Sequence, residues 1–246
     1  MKLICLGSSS KGNCYILKDD YSAIIIEAGV PFYEVSKALD FNLTRIKGLL
    51  LSHSHGDHNK YLKDYLKAGI HVYAHADTIK ESNIGMLTNW HHEIKDQIIF
   101  TLGETKVMPF ALKHDVTCMG FLFQTMDGNT FPFITDTHYV PHRFPGMTNI
   151  IIECNYDLEI LQNRSNSGKV PKNVYDRVLR SHTSLDTVKG FLIANDLRNV
   201  NNIVLIHLSD GNSHAENFKK EIEQLTGKTV HVADKGMKIN LSKYQF

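Results

Sequence analysis

Ser52-His53-Ser54-His55-Gly56-Asp57-His58 is the stretch on which the reading of this chain turns. Imidazole and carboxylate are good zinc ligands at neutral pH. In an extended segment, side chains at i and i+2 point the same way, so His53 and His55 can share one ion. Asp57 and His58 are adjacent and point differently, which puts a second ion within reach of the same loop. Gly56 permits a sharp turn between the two pairs. Three histidines and an aspartate within six residues are not a chance cluster, even in a chain with 14 histidines. The expectation is a two-metal hydrolytic site.

The loop leaves a buried strand, Gly48–Ser52, and enters a helix, Asn59–Lys67, closed by Gly69. Before it, Lys2–Leu6, Cys14–Leu17 and Ala23–Ile26 read as strands and Pro31–Leu39 as a helix with proline in its first turn. After it come strands at Ile70–Tyr73, Ile98–Thr101, Thr105–Leu112, Phe121–Thr125 and Thr130–Ile134. The last third alternates: strand Asn149–Ile152, helix Asp157–Asn163, helix Leu185–Ala194, strand Ile203–Ile206 and helix Ala215–Leu225. Two short strands, Thr229–Val232 and Met237–Asn240, close it. Asn163–Lys172 reads as a loop excursion. Strands precede helices in each half, so the pattern predicts an α/β (α+β) fold of two packed sheets with helices outside. One domain over residues 1–246 is expected.

Composition limits the function. The chain has 246 residues, 42% hydrophobic and 22% charged, with a formal net charge of +1. Proteins that live on long nucleic acid usually carry a marked basic surface; this one has no Arg/Lys run interleaved with aromatics. Cys5, Cys14, Cys118 and Cys154 form no CxxC pair and read as reduced, buried thiols of a cytoplasmic protein. The N-terminal apolar stretch is too short for a signal peptide, and no run approaches a membrane span. Gly7–Asn13 looks like a phosphate-binding loop but lacks its Gly-Lys-Ser/Thr ending and leads into a strand. It reads as a strand-to-strand turn that can border a site.

His53-x-His55-x-Asp57-His58 resembles the HxHxDH signature of the metallo-β-lactamase superfamily, and the resemblance extends over nearly the whole chain. Glu27-Ala28-Gly29 resembles the first motif, where the family usually has Asp. His114, Asp136 in Ile-Thr-Asp-Thr and His207 in Ile-His-Leu-Ser resemble the later ones. The YycJ-like branch is similar in Gly7–Asn13, Glu153–Asp157, Ser181–Ser184 and His207–Asn212, with Tyr156 where that branch has His. Phage anti-Pycsar cyclic-nucleotide phosphodiesterases are similar in size and motif set. The resemblance implies a four-layer αββα sandwich with the site at one edge. It implies that His53, His55 and His114 hold one divalent ion and that Asp57, His58 and His207 hold another, with Asp136 bridging. Zinc is the expected metal, with manganese as the other. Asp57 and His182 are implied in catalysis, and His182, Asn155 and Ser209 in substrate binding. A homodimer is implied as well.

Two ions a few ångströms apart suit phosphodiester cleavage by activated water, with a nearby acid such as His182 protonating the leaving oxygen. The ligands alone also suit β-lactams, thioesters and glyoxalase-type substrates. Three readings follow: a phosphodiesterase for small, cyclic nucleotides; a YycJ-like nuclease on DNA or RNA; and a non-catalytic, metal-stabilised binding module. The near-neutral charge favours the first over the second, and the complete ligand set disfavours the third. Asp115 is a further carboxylate beside a candidate ligand, and Trp90-His91-His92 an aromatic segment suited to stacking or a subunit contact.

Overall fold

In the computed structural model, which describes residues 1–84 and 87–242, the residues of each strand alternate between two apolar layers. The elements in chain order are β1 (Lys2–Gly7), β2 (Cys14–Lys18), β3 (Ala23–Ile26), α1 (Phe32–Ala38), β4 (Ile46–Leu50), α2 (Gly56–Asn59), α3 (Leu62–Lys67), β5 (Val72–Ala74), α4 (Ala76–Glu81), β6 (His91–Glu93) and β7 (Phe100–Leu102). There follow β8 (Thr105–Leu112), β9 (Cys118–Gln124), β10 (Thr130–Ile134), β11 (Asn149–Glu153), α5 (Leu158–Asn166), α6 (Lys172–Ser181), α7 (Leu185–Ala194), β12 (Asn202–Ile206), α8 (Ala215–Thr226), β13 (Thr229–Val232) and β14 (Lys238–Asn240).

One sheet has the order β14-β1-β2-β3-β4-β5-β6 and the other β13-β12-β11-β10-β9-β8-β7. Each is antiparallel on one side and parallel on the other: β3 to β6 run parallel in the first, β10 to β13 in the second. Ile24 and Ile26 of β3 face Phe121, Phe131, Phe133 and Val204 of the other sheet. Ile25 between them faces outward with Leu49 and Val72, onto Val35 of α1 and Leu62, Tyr65 and Leu66 of α3. On the far side Ile150, Ile152, Ile203 and Leu205 pack on Leu185, Val188 and Phe191 of α7 and on Phe218 and Ile222 of α8. Period-two burial on both faces of both sheets therefore produces four layers, αββα. Truncating a ring such as Phe133, which is fully buried, costs about 3–5 kcal/mol.

The structure departs from the sequence expectation at several elements. Asn163–Lys172 is not all loop: α5 runs on to Asn166, and the turn is confined to the residues before Pro171. The helix α6, with its first turn after Pro171, was not expected, nor were α4 and β6. The helix expected over Asn59–Lys67 starts only at Leu62, as α3, and Asn59 instead ends the separate short helix α2. Gly56 is not a strained turn residue; it begins α2 with ordinary φ and open space where a Cβ would stand. The four cysteines are free and buried. No helix is long and apolar enough to cross a membrane, among the described residues.

Candidate metal centre

The parallel strands end at one edge of the sandwich, and their carboxyl ends carry the polar residues. Glu27 follows β3, Ser52 and His53 follow β4, Asp136 follows β10, Glu153 ends β11 and His207 follows β12. Glu27 and His207 adopt positive φ, 68° and 53°. Left-handed backbone at a residue with a Cβ costs free energy and persists only where its surroundings enforce it. Here both residues turn off a buried strand into the same cluster.

Three overlapping groups of donor atoms lie within 4.8 Å of one another: His53, His55, His114 and Asp136; Asp57, His58 and His207; and Asp136, Glu153, His182 and His207. The first two bring together the residues of the two ligand sets that the family resemblance implies. Asp136 lies between them, with Oδ2 3.9 Å from His53 Nε2 and Oδ1 3.4 Å from His58 Nε2 and 3.0 Å from His207 Nδ1. His55 Nδ1 and His114 Nε2 approach to 3.2 Å. His207 Nε2 and His58 Nε2 lie 3.2 and 3.4 Å from Asp57 Oδ2.

Two of these atoms, His53 Nε2 and His207 Nε2, are buried without a hydrogen-bond partner. A buried polar atom left unpaired costs about 1–3 kcal/mol, and native proteins rarely tolerate several in one place. Converging imidazole nitrogens and carboxylates that cannot satisfy one another are what a divalent cation satisfies. The donor set therefore fits two metal ions.

The opposite ring atoms are engaged, which fixes the rings. His114 Nδ1 donates to Ser181 O at 2.7 Å, leaving Nε2 as the lone-pair nitrogen. His53 Nδ1 lies 2.8 Å from Ser52 Oγ. His58 Nδ1 lies 3.4 Å from Glu27 Oε1, and Ser52 N donates to Glu27 Oε2 at 3.3 Å. The Glu at the first motif thus braces one histidine and the strand end beside it. Such outer contacts orient metal ligands and tune their basicity.

Burial and then the neighbouring His58 push His53 well below the ordinary imidazole value, and burial lowers His114. Both are neutral, as ligands must be. Burial also opposes charge on His58 and His207, but Asp136 and the other carboxylates outweigh it and raise both well above the ordinary value. Asp57 and Asp136 are held below the usual carboxylate range although burial alone would raise them: Asp57 by His207 and His58 together, Asp136 chiefly by His207 and then His58.

Asn13 Nδ2 donates to Asp57 Oδ2 at 3.1 Å, and His207 N donates to Ser8 Oγ at 2.9 Å. The Gly7–Asn13 turn is therefore a wall of the site. Gly29 is required there: a Cβ on it would stand 1.9 Å from Asp57 O and 2.5 Å from Asn13 N.

A pocket of about 390 Å³ opens over the cluster. His55, Asp57, Asp136, His182 and His207 line its floor, Asn155 and Ser209 one side, and α6 the other. Asn155 Nδ2 donates to His207 O at 2.9 Å, so its amide nitrogen holds the loop rather than pointing free. Asp115 Oδ1 lies 3.0 Å from His114 Nε2 and 3.3 Å from His55 Nε2 at the mouth. Tyr156 packs with Leu161, Val170, Tyr175 and Val178 and does not line the pocket.

Glu153 entered the sequence reading only as part of the Glu153–Asp157 element and was given no role there, yet it lies within this cluster. It is fully buried, and its Oε1 lies 2.6 Å from His182 Nδ1 and 3.1 Å from His207 Nδ1. A signal was present: a carboxylate closing the otherwise apolar strand Ile150-Ile151-Ile152 has to find a partner. The remaining histidines mostly have structural roles. His75 and His214 cap α4 and α8, and His231 Nε2 lies 3.2 Å from Asn202 Oδ1. Trp90 meets His71 edge-on at 5.0 Å, and His92 stacks on Tyr73; neither Trp90 nor His92 lines the pocket.

A family profile described as Beta-lactamase superfamily domain matches residues 24–147. The exodeoxyribonuclease YycJ of Bacillus anthracis is 26% identical over 233 residues, covering 89% of this chain and 87% of the relative. The exodeoxyribonuclease WalJ of Streptococcus pneumoniae is 25% identical over a 258-residue alignment, covering 99% of this chain and 93% of the relative. Among solved structures, the metallo-beta-lactamase fold protein YhfI from Bacillus subtilis superposes with a TM-score of 0.73 at 17% identity, over 97% of this chain and 98% of that one.

Proposed function

This chain belongs to the metallo-β-lactamase superfamily, in its YycJ-like branch, and on that premise we propose that it is a two-metal phosphodiesterase that removes nucleotides from the ends of DNA. The observation that carries the reading is the pair of three-residue donor sets sharing Asp136, with buried imidazole nitrogens that nothing in the protein satisfies. His53, His55 and His114 would hold one ion, and Asp57, His58 and His207 the other. Two divalent ions there supply an activated water and the charge that offsets a phosphoryl transition state; zinc and manganese both suit the donors.

The protein's own residues do the rest. Asp57 and Asp136 remain ionised because the histidines around them hold their protons off. Glu153 fixes His182 through Nδ1, so the ring's Nε2 is the atom left for substrate. His182 lines the pocket and is about a sixth exposed, a setting suited to giving a proton to the leaving oxygen. Among the carboxylates His182 is raised above its ordinary value, because Glu153 and Asp136 outweigh burial. The protonated form it needs as an acid is therefore favoured. The two named relatives, both exodeoxyribonucleases, support DNA as the substrate.

A second reading, hydrolysis of small cyclic nucleotides, is favoured by one observation. The pocket is about 390 Å³, and Arg177 is the one Lys or Arg on its lining, so the pocket itself offers little positive charge to a long backbone. The two are separated by offering the purified protein, loaded with zinc or manganese, linear duplex DNA and 3′,5′-cyclic mononucleotides. Shortening of the DNA from its ends with the cyclic nucleotides intact is expected. Intact DNA with opened cyclic nucleotides would replace the first reading by the second, and no turnover of either would overturn both.

A further inference from the structure

We infer that Arg177 determines substrate specificity by gripping a second phosphate, next to the one being cleaved. The inference rests on the phosphodiesterase reading above and concerns the chemistry of the substrate around the scissile bond. One face of α6 forms a wall of the pocket. Val174, Arg177, Val178 and Ser181 line it, spaced at i, i+3, i+4 and i+7, which places them on one helical stripe. The helix is anchored beside that stripe: Tyr175 Oη donates to Gln162 Oε1 at 2.9 Å, and Tyr175 and the buried Val178 pack with Leu161 and Val170. At its end, Ser181 O accepts from His114 Nδ1. The wall is therefore held in register with the metal centre.

Charge singles out Arg177 on that wall. The other charged side chains around the pocket are Asp57, Asp115 and Asp136, with histidines between them. Neighbouring charges on α6 are already engaged: Lys172 pairs with Asp176 at 3.0 Å, and Arg180 Nε donates to Asp176 O at 3.0 Å. The exposed Arg177 guanidinium has no such partner among the described residues. A permanent cation with a planar fork of donors matches a phosphate bidentately, which a lysine cannot do. The metal ions would engage the scissile group, so Arg177 is left for a further one. The partly exposed Val174 beside it gives apolar surface for a sugar or base. The substrate class this implies is a linear nucleotide diester with an adjacent or terminal phosphate. A cyclic mononucleotide has a single phosphate and gives Arg177 nothing to hold.

The test uses the metal-loaded full chain and thymidine dinucleotides that carry a phosphate at the 5′ end, at the 3′ end or at neither. Wild type is expected to favour one phosphorylated form by on the order of tenfold in kcat/KM, the worth of one charge-assisted contact. Arg177→Gln is expected to erase that preference through KM, and Arg177→Lys to keep part of it. Cleavage by wild type without a preference, or the full preference surviving in Arg177→Gln, overturns the assignment. Failure of wild type to cleave any of the three overturns the phosphodiesterase reading itself, so the two failures are told apart.

Discussion

Glu153 Oε1 lies 2.6 Å from His182 Nδ1, while Glu153 Oε2 accepts the backbone N–H groups of Thr137 and Thr183 at 3.1 and 2.9 Å. One buried carboxylate thereby ties the ends of β10, β11 and α6 to a histidine in the pocket. A glutamine at 153 cannot accept on both sides without setting an NH₂ against a donor. Glu153→Gln is expected to lower kcat by about 10–100-fold, the usual cost of losing an outer-shell brace. His182→Ala is expected to lose about 10²–10⁴-fold on alkoxide leaving groups and much less on bis(p-nitrophenyl) phosphate, whose leaving group needs no acid. Equal losses on both substrates would remove His182 from the role of acid.

Glu27 stands where the superfamily usually has Asp, and its carboxylate spans from Ser52 N to His58 Nδ1. Glu27→Asp withdraws the carboxylate by one methylene while suiting the left-handed backbone better, since Asp tolerates that region more readily. The expected outcome is near-native thermal stability with about tenfold weaker binding of one of two metal ions. Metal titration read by calorimetry checks it. Unchanged affinity for both ions would mean that the contact does not position His58.

Proton uptake carries a signed prediction. His58 and His207 have raised values in the metal-free protein. Their contribution to stability is full below the unfolded imidazole value of about 6.5 and is lost as pH rises through the folded values. Asp57, held low, contributes above the unfolded carboxylate value of about 3.9 and loses that contribution as pH falls through its folded value. Near neutrality both histidines are protonated, so metal must displace their protons. Loading is expected to release about two protons per chain at pH 7, measured as the dependence of the binding heat on the buffer's ionisation heat. Release of none would contradict the assignment of His58 and His207 as ligands.

Gly29 packs against the backbone of both Asp57 and Asn13. An added methyl has nowhere to go, and overpacking of this kind costs about 1–3 kcal/mol. Gly29→Ala is expected to lower Tm and to weaken metal binding together, because the same contact aligns the Asp57 loop. A variant with native Tm and native metal content would show that the loop is more pliable than its packing implies.

What could be read from the sequence was what is local. His53, His55, Asp57 and His58 lie in six residues, and period-two burial in β3, β11 and β12 is visible as apolar runs. His114, Asp136 and His207 came from resemblance, since nothing local distinguishes them from other histidines and aspartates. Glu153 was visible only within the Glu153–Asp157 resemblance and had no role there, because its partners are 29 and 54 residues away. The helix α6 was passed over for a different reason. It starts after Pro171 without a side-chain cap, behind a polar stretch that looks like loop, and its apolar stripe is short. That omission concealed Arg177, whose significance depends on which way a helix faces.

Hydrolysis of bis(p-nitrophenyl) phosphate by Asp57→Ala, assayed beside wild type at matched zinc or manganese, tests the two-metal account most directly. On the proposed assignment Asp57 serves one ion only, so the variant is expected to keep about one of two ions and to lose on the order of 10²-fold or more in kcat. Wild-type turnover in that variant would contradict the account.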